Sequence, residues 1–265
     1  MCIRDRTKTP PNYVESHNLL GEKVVVVTAA AGTGIGSAVA RRCIEEGASV
    51  IISDVHEERL EATCDALSEI NGERPLSVLC DVTKEQQVQN LFDKTIEEYG
   101  KLDVLINNAG LGAQSLLVEM DDEEWLRVVD VTLNGTMRCT RAALKKMQER
   151  NTGVIVNNAS VLGWRAQTGQ SHYAAAKAGV MALTRCVAIE AAEYDIRVNC
   201  VAPSLALHPN LSKSSNQELI DSLIEQEALG RAAEPWEVAN VMVFLASDYS
   251  SYMTGEVISV SSQHP

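Results

Sequence analysis

The sequence is most informative at Val24-Val25-Val26-Val27-Thr28-Ala29-Ala30-Ala31-Gly32-Thr33-Gly34-Ile35-Gly36. Four consecutive valines predict a strand that is buried on both faces. The glycines that follow lead into an amphipathic stretch, so backbone N–H groups and a helix N-terminus can approach a pyrophosphate. Taken alone, the segment also fits a tight strand-to-helix turn without a ligand.

Outward from this segment, short β-branched runs alternate with longer amphipathic stretches, which is typical of parallel strands joined by crossover helices. Two predicted helices, Ser37 to Glu46 and Lys84 to Tyr99, stop before a glycine. We predict seven strands: Val24 to Thr28, Ser49 to Ser53, Ser77 to Cys80, Val104 to Asn107, Val154 to Asn158, Arg197 to Val201 and Val257 to Val260. The pattern predicts an α/β protein with a Rossmann-like, doubly wound parallel sheet.

A chain of 265 residues with 45% hydrophobic and 22% charged residues is expected to form one domain. We predict a flexible N-terminal tail over residues 1–18 and the folded domain over residues 19–265. Residues 1–6 resemble a leader produced by translated adaptor sequence. The polar stretch from Pro203 to about Gly230 breaks the rhythm of the crossovers and is expected to cover a substrate.

The net charge of −13 disfavours binding to nucleic acid or to an anionic membrane surface. Seven cysteines without a Cys-x-x-Cys pair favour reduced thiols in the cytoplasm and no metal site. We therefore expect a small-molecule substrate and no nucleic-acid or membrane partner.

A carboxylate ends the second predicted strand: Asp54 follows Gly36 by 18 residues. At this place it can accept hydrogen bonds from both hydroxyls of an adenosine ribose, and it would repel a ribose phosphate. Thr33, Val55 and His56 supply no positive charge to either side. The expected cofactor is therefore NAD rather than NADP, while a helix N-cap is the alternative role for Asp54.

Tyr173 and Lys177 lie four residues apart on a predicted helix and thus share a face. A tyrosine that acts near neutral pH needs its pKa lowered from about 10 toward 7, or roughly 4 kcal/mol. One positive charge at about 4 Å supplies roughly that amount at an effective dielectric near 20. We expect Lys177 to lower the pKa of Tyr173, although such pairs are more often surface side chains. Ser160, at the carboxyl end of the fifth strand, makes the catalytic interpretation stronger.

From Gly21 onward, the chain resembles the short-chain dehydrogenase/reductase family. The matching motifs are the glycine loop, Asp81-Val82, Asn107-Asn108-Ala109-Gly110, Ser160, and Tyr173 with Lys177. The resemblance implies the strand order 3-2-1-4-5-6-7, a homotetramer, and hydride transfer between a nicotinamide and a secondary alcohol or ketone carbon. It also implies that Tyr173 moves the hydroxyl proton, Ser160 binds the carbonyl oxygen and Lys177 holds the nicotinamide ribose.

The resemblance assigns cofactor contacts to several segments. The expected residues are Gly32, Thr33, Gly34, Ile35, Gly36, Asp54, Asp81, Val82, Asn108, Ala109, Gly110, Tyr173, Lys177, Pro203 and Ser204. The substrate contacts are expected from Ser160, Trp164, Arg165 and Tyr173, because the turn after the fifth strand rims the crevice.

Four features depart from the family pattern. The glycine loop is one residue longer, with Ala29 at a usual glycine, and Thr132 stands where the relay asparagine is expected. Asn134, two positions away, should point elsewhere on a helix. The third departure is Ser204 with His208 after Pro203, and the fourth is the ending Val260-Ser261-Ser262.

The segment from Asn157 to Gln167, the loop insertion and the C-terminal ending resemble one bacterial subgroup of this family. That subgroup oxidises the ring hydroxyl of a bicyclic indane carboxyl-CoA in the degradation of steroid C and D rings. The resemblance implies a CoA thioester substrate, for which Arg165, Lys213 and Arg231 are the candidate cations, with a surface role as the alternative for the last two.

Two other functions stay open. A 3-oxoacyl thioester reductase normally uses NADPH, so Asp54 argues against it. A catalytically silent NAD-binding sensor has no need of Ser160, Tyr173 and Lys177 together.

Overall fold

A computed structural model describes residues 9–207 and 217–263. Seven parallel strands form one sheet in the order β3-β2-β1-β4-β5-β6-β7. The strands are β1 Val24–Thr28, β2 Ser49–Asp54, β3 Leu76–Leu79, β4 Val104–Asn107, β5 Gly153–Asn158, β6 Ile196–Pro203 and β7 Val257–Val260. The predicted Rossmann-like, doubly wound α/β fold and its strand order are therefore confirmed.

The helices cover both faces of the sheet, which explains why β1 is buried throughout and consists of valine except at Thr28. They are α1 Ile35–Glu45, α2 Glu57–Asn71, α3 Glu85–Tyr99, α4 Asp122–Val129, α5 Gly135–Gln148, α6 Ser171–Ala191, α7 Gln217–Gln226 and α8 Pro235–Ala246. Side chains of α1, α2 and α8 pack in one core, and those of α3, α5 and α6 pack in the other. Within the described residues, no helix is both long and apolar enough to cross a membrane.

Most predicted element ends lie within two residues of the observed ones, since Gly47 after α1 and Gly100 after α3 have positive φ, as expected where a helix stops. One prediction needs correction. The stretch from Pro203 to Gly230 was expected to be irregular, but its part from Gln217 to Gln226 is helical. The polar residues before Gln217 led to the whole stretch being treated as irregular, so the apolar periodicity of this helix was overlooked.

The segment before the sheet lies against α1. Arg42 donates to the backbone carbonyls of Val14 and Glu15 at 2.9 and 2.8 Å. Glu46, which is fully buried, accepts from the backbone N–H groups of His17 and Leu19 at 2.9 Å each. Sequence reasoning placed residues up to 18 in a flexible tail, whereas these contacts attach residues 14–19 to the helix.

Candidate active site

The site lies where the sheet changes direction, because the crossovers from β1 and β4 run to opposite sides at this point. Asn108, directly after β4, bridges the two strands: its Nδ2 donates to the carbonyls of Thr28 and Ala29 at 3.2 and 3.0 Å. Its Oδ1 accepts from Asn158 Nδ2 at 3.0 Å. Three strand ends are thus joined by side-chain amides at the mouth of the crevice.

The glycine loop leaves no room for side chains. A Cβ on Gly36 would lie 2.3 Å from the Ala29 carbonyl oxygen and 2.5 Å from Asn108 Nδ2. Gly32 has a φ of 97° and its N–H donates to Thr63 Oγ1 at 3.0 Å. Gly34 precedes α1 without a side-chain cap, and the first turn of α1 holds no acidic residue. The helix N-terminus is therefore open toward an anion.

The departure at Ala29 has a structural cost, since this residue has a φ of +50°. An L-residue in that region is strained by about 1 kcal/mol, and glycine removes the strain. We expect Ala29→Gly to raise the free energy of unfolding by about 0.5–1 kcal/mol, measured by urea unfolding. The control is Ala30→Gly, at a fully buried neighbour without positive φ, which should destabilise. A loss of stability in both variants would contradict the assignment of strain.

Asp54 ends β2 and its carboxylate is 7% exposed. Its oxygens accept from the backbone N–H groups of Ala31 at 3.2 Å and His56 at 3.0 Å. Burial raises the pKa of Asp54, and the Ala31 N–H together with the charge of Arg59 opposes that rise. Arg59 Nη2 lies 3.9 Å from Asp54 Oδ1, a neighbour that the sequence reasoning did not identify.

The expected adenine contacts follow β3. Asp81 Oδ1 accepts from the backbone and the hydroxyl of Thr83 at 2.9 and 2.8 Å, which fixes the turn. Val82 is buried and packs closely against Gly135 at the start of α5. A Cβ on Gly135 would lie only 2.6 Å from the Val82 side chain. These contacts fix the turn that follows β3.

Tyr173 and Ser160 meet at the carboxyl end of β5. Tyr173 is in the first turn of α6, and Ser160 directly precedes the 3₁₀ turn Val161–Gly163. Burial raises the pKa of Tyr173 to about 12, while a hydrogen bond with the Ser160 hydroxyl opposes that rise. The predicted pair of hydroxyl groups is thus brought together in the structure.

Lys177 lies one turn further along α6 and is 2% exposed. Its ammonium donates to the Asn158 carbonyl at 2.5 Å and lies 5.5 Å from the centroid of the Tyr173 ring. Burial lowers the pKa of Lys177 to about 8. The expectation that Lys177 lowers the pKa of Tyr173 is wrong for this structure, because burial of the phenol raises that pKa and Lys177 is not among the groups that oppose the rise.

Thr132 lies in a π-helical turn, Asp130–Asn134, that joins α4 to α5. Its hydroxyl accepts from the Leu111 N–H at 3.0 Å and lies 3.3 Å from the Leu111 carbonyl oxygen. It therefore anchors the chain just after Gly110. Asn134 points elsewhere, as predicted, since its Nδ2 donates to Asp130 Oδ1 at 3.0 Å.

The rim of the crevice carries Trp164, 46% exposed, and Arg165, whose Nη1 donates to Gln263 Oε1. His172 points away from Tyr173: it is fully buried, with Nε2 3.6 Å from Glu124 Oε1. Pro203 ends β6 and the Ser204 N–H donates to the Val260 carbonyl at 3.1 Å. His208 and Lys213 lie outside the described residues.

Arg231, another candidate cation, forms a two-pronged ion pair with Glu237, at 2.6 and 2.7 Å. This pairing neutralises its charge, and the Arg231 side chain is only 16% exposed, so the contact favours a structural role over both the substrate contact and the solvated surface role considered for it.

These residues fit a nicotinamide dinucleotide. The glycine loop, the uncapped start of α1 and Asp54 suit a pyrophosphate and a ribose. Gly110 leaves space beside Lys177, because a Cβ there would lie 3.2 Å from Nζ. A bound nicotinamide would accept or donate the hydride, and the chain would orient it.

Comparisons with known proteins agree with this architecture. A family profile described as enoyl-(acyl carrier protein) reductase matches residues 29–262. A Mycobacterium tuberculosis protein named (5R,7aS)-5-hydroxy-7a-methyl-1-oxo-2,3,5,6,7,7a-hexahydro-1H-indene-carboxyl-CoA reductase is 62% identical over 96% of this chain and 98% of its own. A 3-oxoacyl-[acyl-carrier-protein] reductase of Thermotoga maritima is 39% identical over 90% of this chain and 96% of its own.

A solved structure extends the agreement to the fold. A short chain dehydrogenase from Mycobacterium smegmatis superposes with a TM-score of 0.87 at 56% identity, over 97% of this chain and 99% of that one. The chain belongs to the short-chain dehydrogenase/reductase family.

Proposed function

We propose that the protein is an NAD-dependent oxidoreductase that interconverts a secondary alcohol and a ketone on the ring of a bicyclic indane carboxyl-CoA. The observation that carries the proposal is the meeting of Ser160, Tyr173 and Lys177 at the carboxyl end of β5, beside an open glycine loop. A ketone-reducing site needs a proton donor and a hydride donor: Tyr173 would donate the proton, and a nicotinamide held beside the glycine loop would supply the hydride.

In the proposed mechanism, Tyr173 exchanges the proton of the substrate oxygen. With a pKa of about 12, the phenol is protonated near neutral pH, which is the form that donates a proton to a ketone oxygen. In the oxidation direction it must first lose that proton, so the rate of oxidation should rise with pH. Ser160 donates a hydrogen bond to the same oxygen, and Lys177 orients the nicotinamide ribose. Thr132 positions the backbone after Gly110.

We further propose NAD as the cofactor. The glycine loop from Gly32 to Gly36, with Thr33 and Ile35, would hold the pyrophosphate, and Asp54 would bind the ribose hydroxyls. The adenine would be contacted by Asp81 and Val82. The segment from Asn108 through Ala109 to Gly110 would line the cofactor site behind the dinucleotide. Pro203 and Ser204 would contact the nicotinamide end.

Replacement of Asp54 tests the cofactor preference. We expect Asp54→Ala to raise KM for NAD and to lower KM for NADP, because removal of the carboxylate leaves the Arg59 guanidinium near a ribose phosphate. The double variant Asp54→Ala/Arg59→Ala is the matched control and should lose the gain with NADP. KM values come from initial rates with each cofactor. A wild-type enzyme that already prefers NADP would refute the role of Asp54.

The substrate class follows from the relative that is 62% identical and is named for a hexahydroindene carboxyl-CoA. The proposed contacts are Ser160 and Tyr173 at the reacting oxygen and Trp164 with Arg165 at the rim. An exposed indole suits an alicyclic ring, and a guanidinium suits a phosphate. A CoA group would approach a chain with a net charge of −13, so a local cation is needed.

The alternative substrate is a 3-oxoacyl thioester, as the name of the T. maritima relative says of that protein. This substrate is less well supported than the indane thioester, because that relative is only 39% identical to the chain. The carboxylate of Asp54 also disfavours NADPH, the usual cofactor of such reductases. A catalytically silent sensor has no need of Ser160 beside Tyr173.

The experiment is a comparison of initial rates at 340 nm. Three substrates are supplied in parallel: the hydroxy-indane carboxyl-CoA, its free acid, and a linear 3-hydroxyacyl-CoA, each with NAD and with NADP. We expect the highest kcat/KM with the indane thioester and NAD. Higher kcat/KM for the linear thioester or for the free acid would overturn the proposed substrate.

A homotetramer in the cytoplasm is the state we propose for the enzyme. Large apolar side chains at the surface, among them Ile189 at 81% exposure and Tyr252 at 103%, support assembly. Light scattering of the purified protein tests it, and a monomer would overturn it.

A further inference from the structure

Two asparagine side chains connect the glycine loop with Lys177. Asn108 Nδ2 donates to the backbone carbonyls of Thr28 and Ala29 at 3.2 and 3.0 Å. Asn108 Oδ1 accepts from Asn158 Nδ2 at 3.0 Å, and the Asn158 backbone carbonyl accepts from Lys177 Nζ at 2.5 Å. A continuous series of contacts therefore runs from the start of the loop to the ammonium.

Each amide in this series is held in one orientation. The Asn108 nitrogen must face the loop, because the two backbone carbonyls there accept and cannot donate. The Asn108 oxygen then faces Asn158, which has to present its nitrogen. A reversed amide at either position would place two acceptors against each other, so both side chains are fixed by their partners.

Stability alone does not account for an asparagine at position 158. On the same face of β5, Val154 and Val156 pack in the apolar core, and so does Val201, the neighbour of Asn158 on β6. Asn158 Oδ1 is buried and accepts no hydrogen bond from the residues that the structure describes. A buried acceptor without a donor costs free energy that an apolar side chain would not. What the amide supplies in return is its contact with Asn108.

The two ends of the series lie where the two halves of a dinucleotide would bind. A Cβ on Gly36, in the glycine loop, would lie 2.5 Å from Asn108 Nδ2, and a Cβ on Gly110 would lie 3.2 Å from Lys177 Nζ. The assignment of the loop to the pyrophosphate and of Lys177 to the nicotinamide ribose rests on the proposed function. A ligand that spans both ends loses less freedom on binding when their separation is already fixed.

We propose that Asn158 is a positioning residue that fixes the glycine loop and the Lys177 ammonium at the separation that a nicotinamide dinucleotide requires. Asn158 acts through Asn108 on one side and through its own carbonyl and Lys177 on the other, and it needs no contact with the reacting atoms. The mechanism proposed above gives this residue no task.

Binding measurements test the proposal, because ADP carries the adenosine and pyrophosphate of the cofactor but lacks the nicotinamide ribose. Kd values for NADH and ADP are measured by isothermal titration calorimetry. We expect Asn158→Ala to raise Kd for NADH by about tenfold and to leave Kd for ADP within about twofold of wild type, since only NADH spans both ends. The variant removes one unpartnered buried oxygen and leaves Asn108 Oδ1 without its donor, so the melting temperature should change little.

A double-mutant cycle with Lys177→Met shows whether Asn158 acts through the ammonium. Lys177→Met should itself raise Kd for NADH, and Asn158→Ala should have little further effect in that background. A second variant, Asn158→Leu, keeps the approximate volume of the side chain but makes no hydrogen bond. It should raise Kd for NADH as Asn158→Ala does, so it carries the test if Asn158→Ala fails to fold.

The matched control is Asn199→Ala, which also removes a buried amide that bridges two segments. Asn199 lies in the middle of β6, where its Nδ2 donates to the Met253 carbonyl at 2.7 Å and its Oδ1 accepts from the Glu256 N–H at 3.1 Å. This variant should lower the melting temperature and leave Kd for both ligands unchanged, because the contacts it loses lie outside the series.

Any of four results would overturn the proposal: an unchanged Kd for NADH in Asn158→Ala, equal rises in Kd for NADH and ADP, additive effects of Asn158→Ala and Lys177→Met, or an equal rise in Kd for NADH in Asn199→Ala. The proposed function fails on a separate observation, when the wild-type enzyme forms no NADH from NAD and a secondary alcohol. Wild-type turnover combined with equal rises in Kd for NADH and ADP would refute the positioning role alone.

Discussion

Tyr173→Phe is expected to lower kcat by about a thousandfold and to leave NADH binding nearly unchanged. The phenol hydroxyl is the proposed proton donor, and positioned acid–base groups contribute about 10²–10⁴ to rates. The cofactor would be held mainly by the glycine loop and Asp54, so loss of one hydroxyl should not release it. Turnover is followed at 340 nm, and NADH binding by fluorescence titration.

The control for this variant is Tyr249→Phe, which removes the hydroxyl of a tyrosine that is 75% exposed in a 3₁₀ turn after α8. It should keep wild-type turnover. Activity of Tyr173→Phe within about tenfold of wild type would contradict the assignment of the proton donor.

Lys177→Met should reduce kcat/KM by about 100-fold. The ammonium is a buried charge 5.5 Å from the centroid of the Tyr173 ring, where it would orient the nicotinamide ribose for hydride transfer. The variant also loses the ammonium that would hold the nicotinamide ribose, so KM for NAD should rise. The control is Lys101→Met, at the opposite edge of the sheet, where the ammonium pairs with Asp103. Equal activity of Lys177→Met and wild type would exclude a role for the ammonium.

The same variant has a predicted effect on stability without cofactor. Burial lowers the pKa of Lys177 from 10.5 to about 8 in the folded protein, so the folded state carries a buried ammonium below pH 8. Between about pH 8 and 10.5 the unfolded chain binds more protons, and stability therefore rises with pH there. Urea unfolding should show wild type gaining about 2 kcal/mol relative to Lys177→Met from pH 7 to 9.5. A pH-independent difference would contradict a buried, charged Lys177.

The sequence predicts the sheet well because its signals are local. Valines at β1 and glycines after α1 and α3 act within a few residues, and these predicted element ends agree with the structure. The places of the proposed catalytic groups are equally predictable, because Tyr173 and Lys177 are four residues apart on one helix and Ser160 follows the end of a strand.

Other features depend on contacts between distant segments. Arg165 and Gln263 are 98 positions apart, and the pairing of Arg231 with Glu237 needs the geometry of the turn before α8. The proximity of Arg59 to Asp54 could have been predicted from the sequence, because Arg59 lies in the first turn of α2, the helix that follows Asp54. The π-helical turn at Asp130–Asn134 has no such local signal, because the chain around it has ordinary helical periodicity.

Transfer of deuterium tests the central claim most directly. The hydroxy-indane carboxyl-CoA, labelled with deuterium on the carbon that bears the hydroxyl, is incubated with NAD and the enzyme, and the reduced cofactor is analysed by mass spectrometry. We predict that wild type forms NADH one mass unit heavier, with the label on the nicotinamide ring, and that Tyr173→Phe forms about a thousandfold less of it in the same time. Ketone formation without label in the nicotinamide, or no labelled cofactor with wild-type enzyme, would contradict the account.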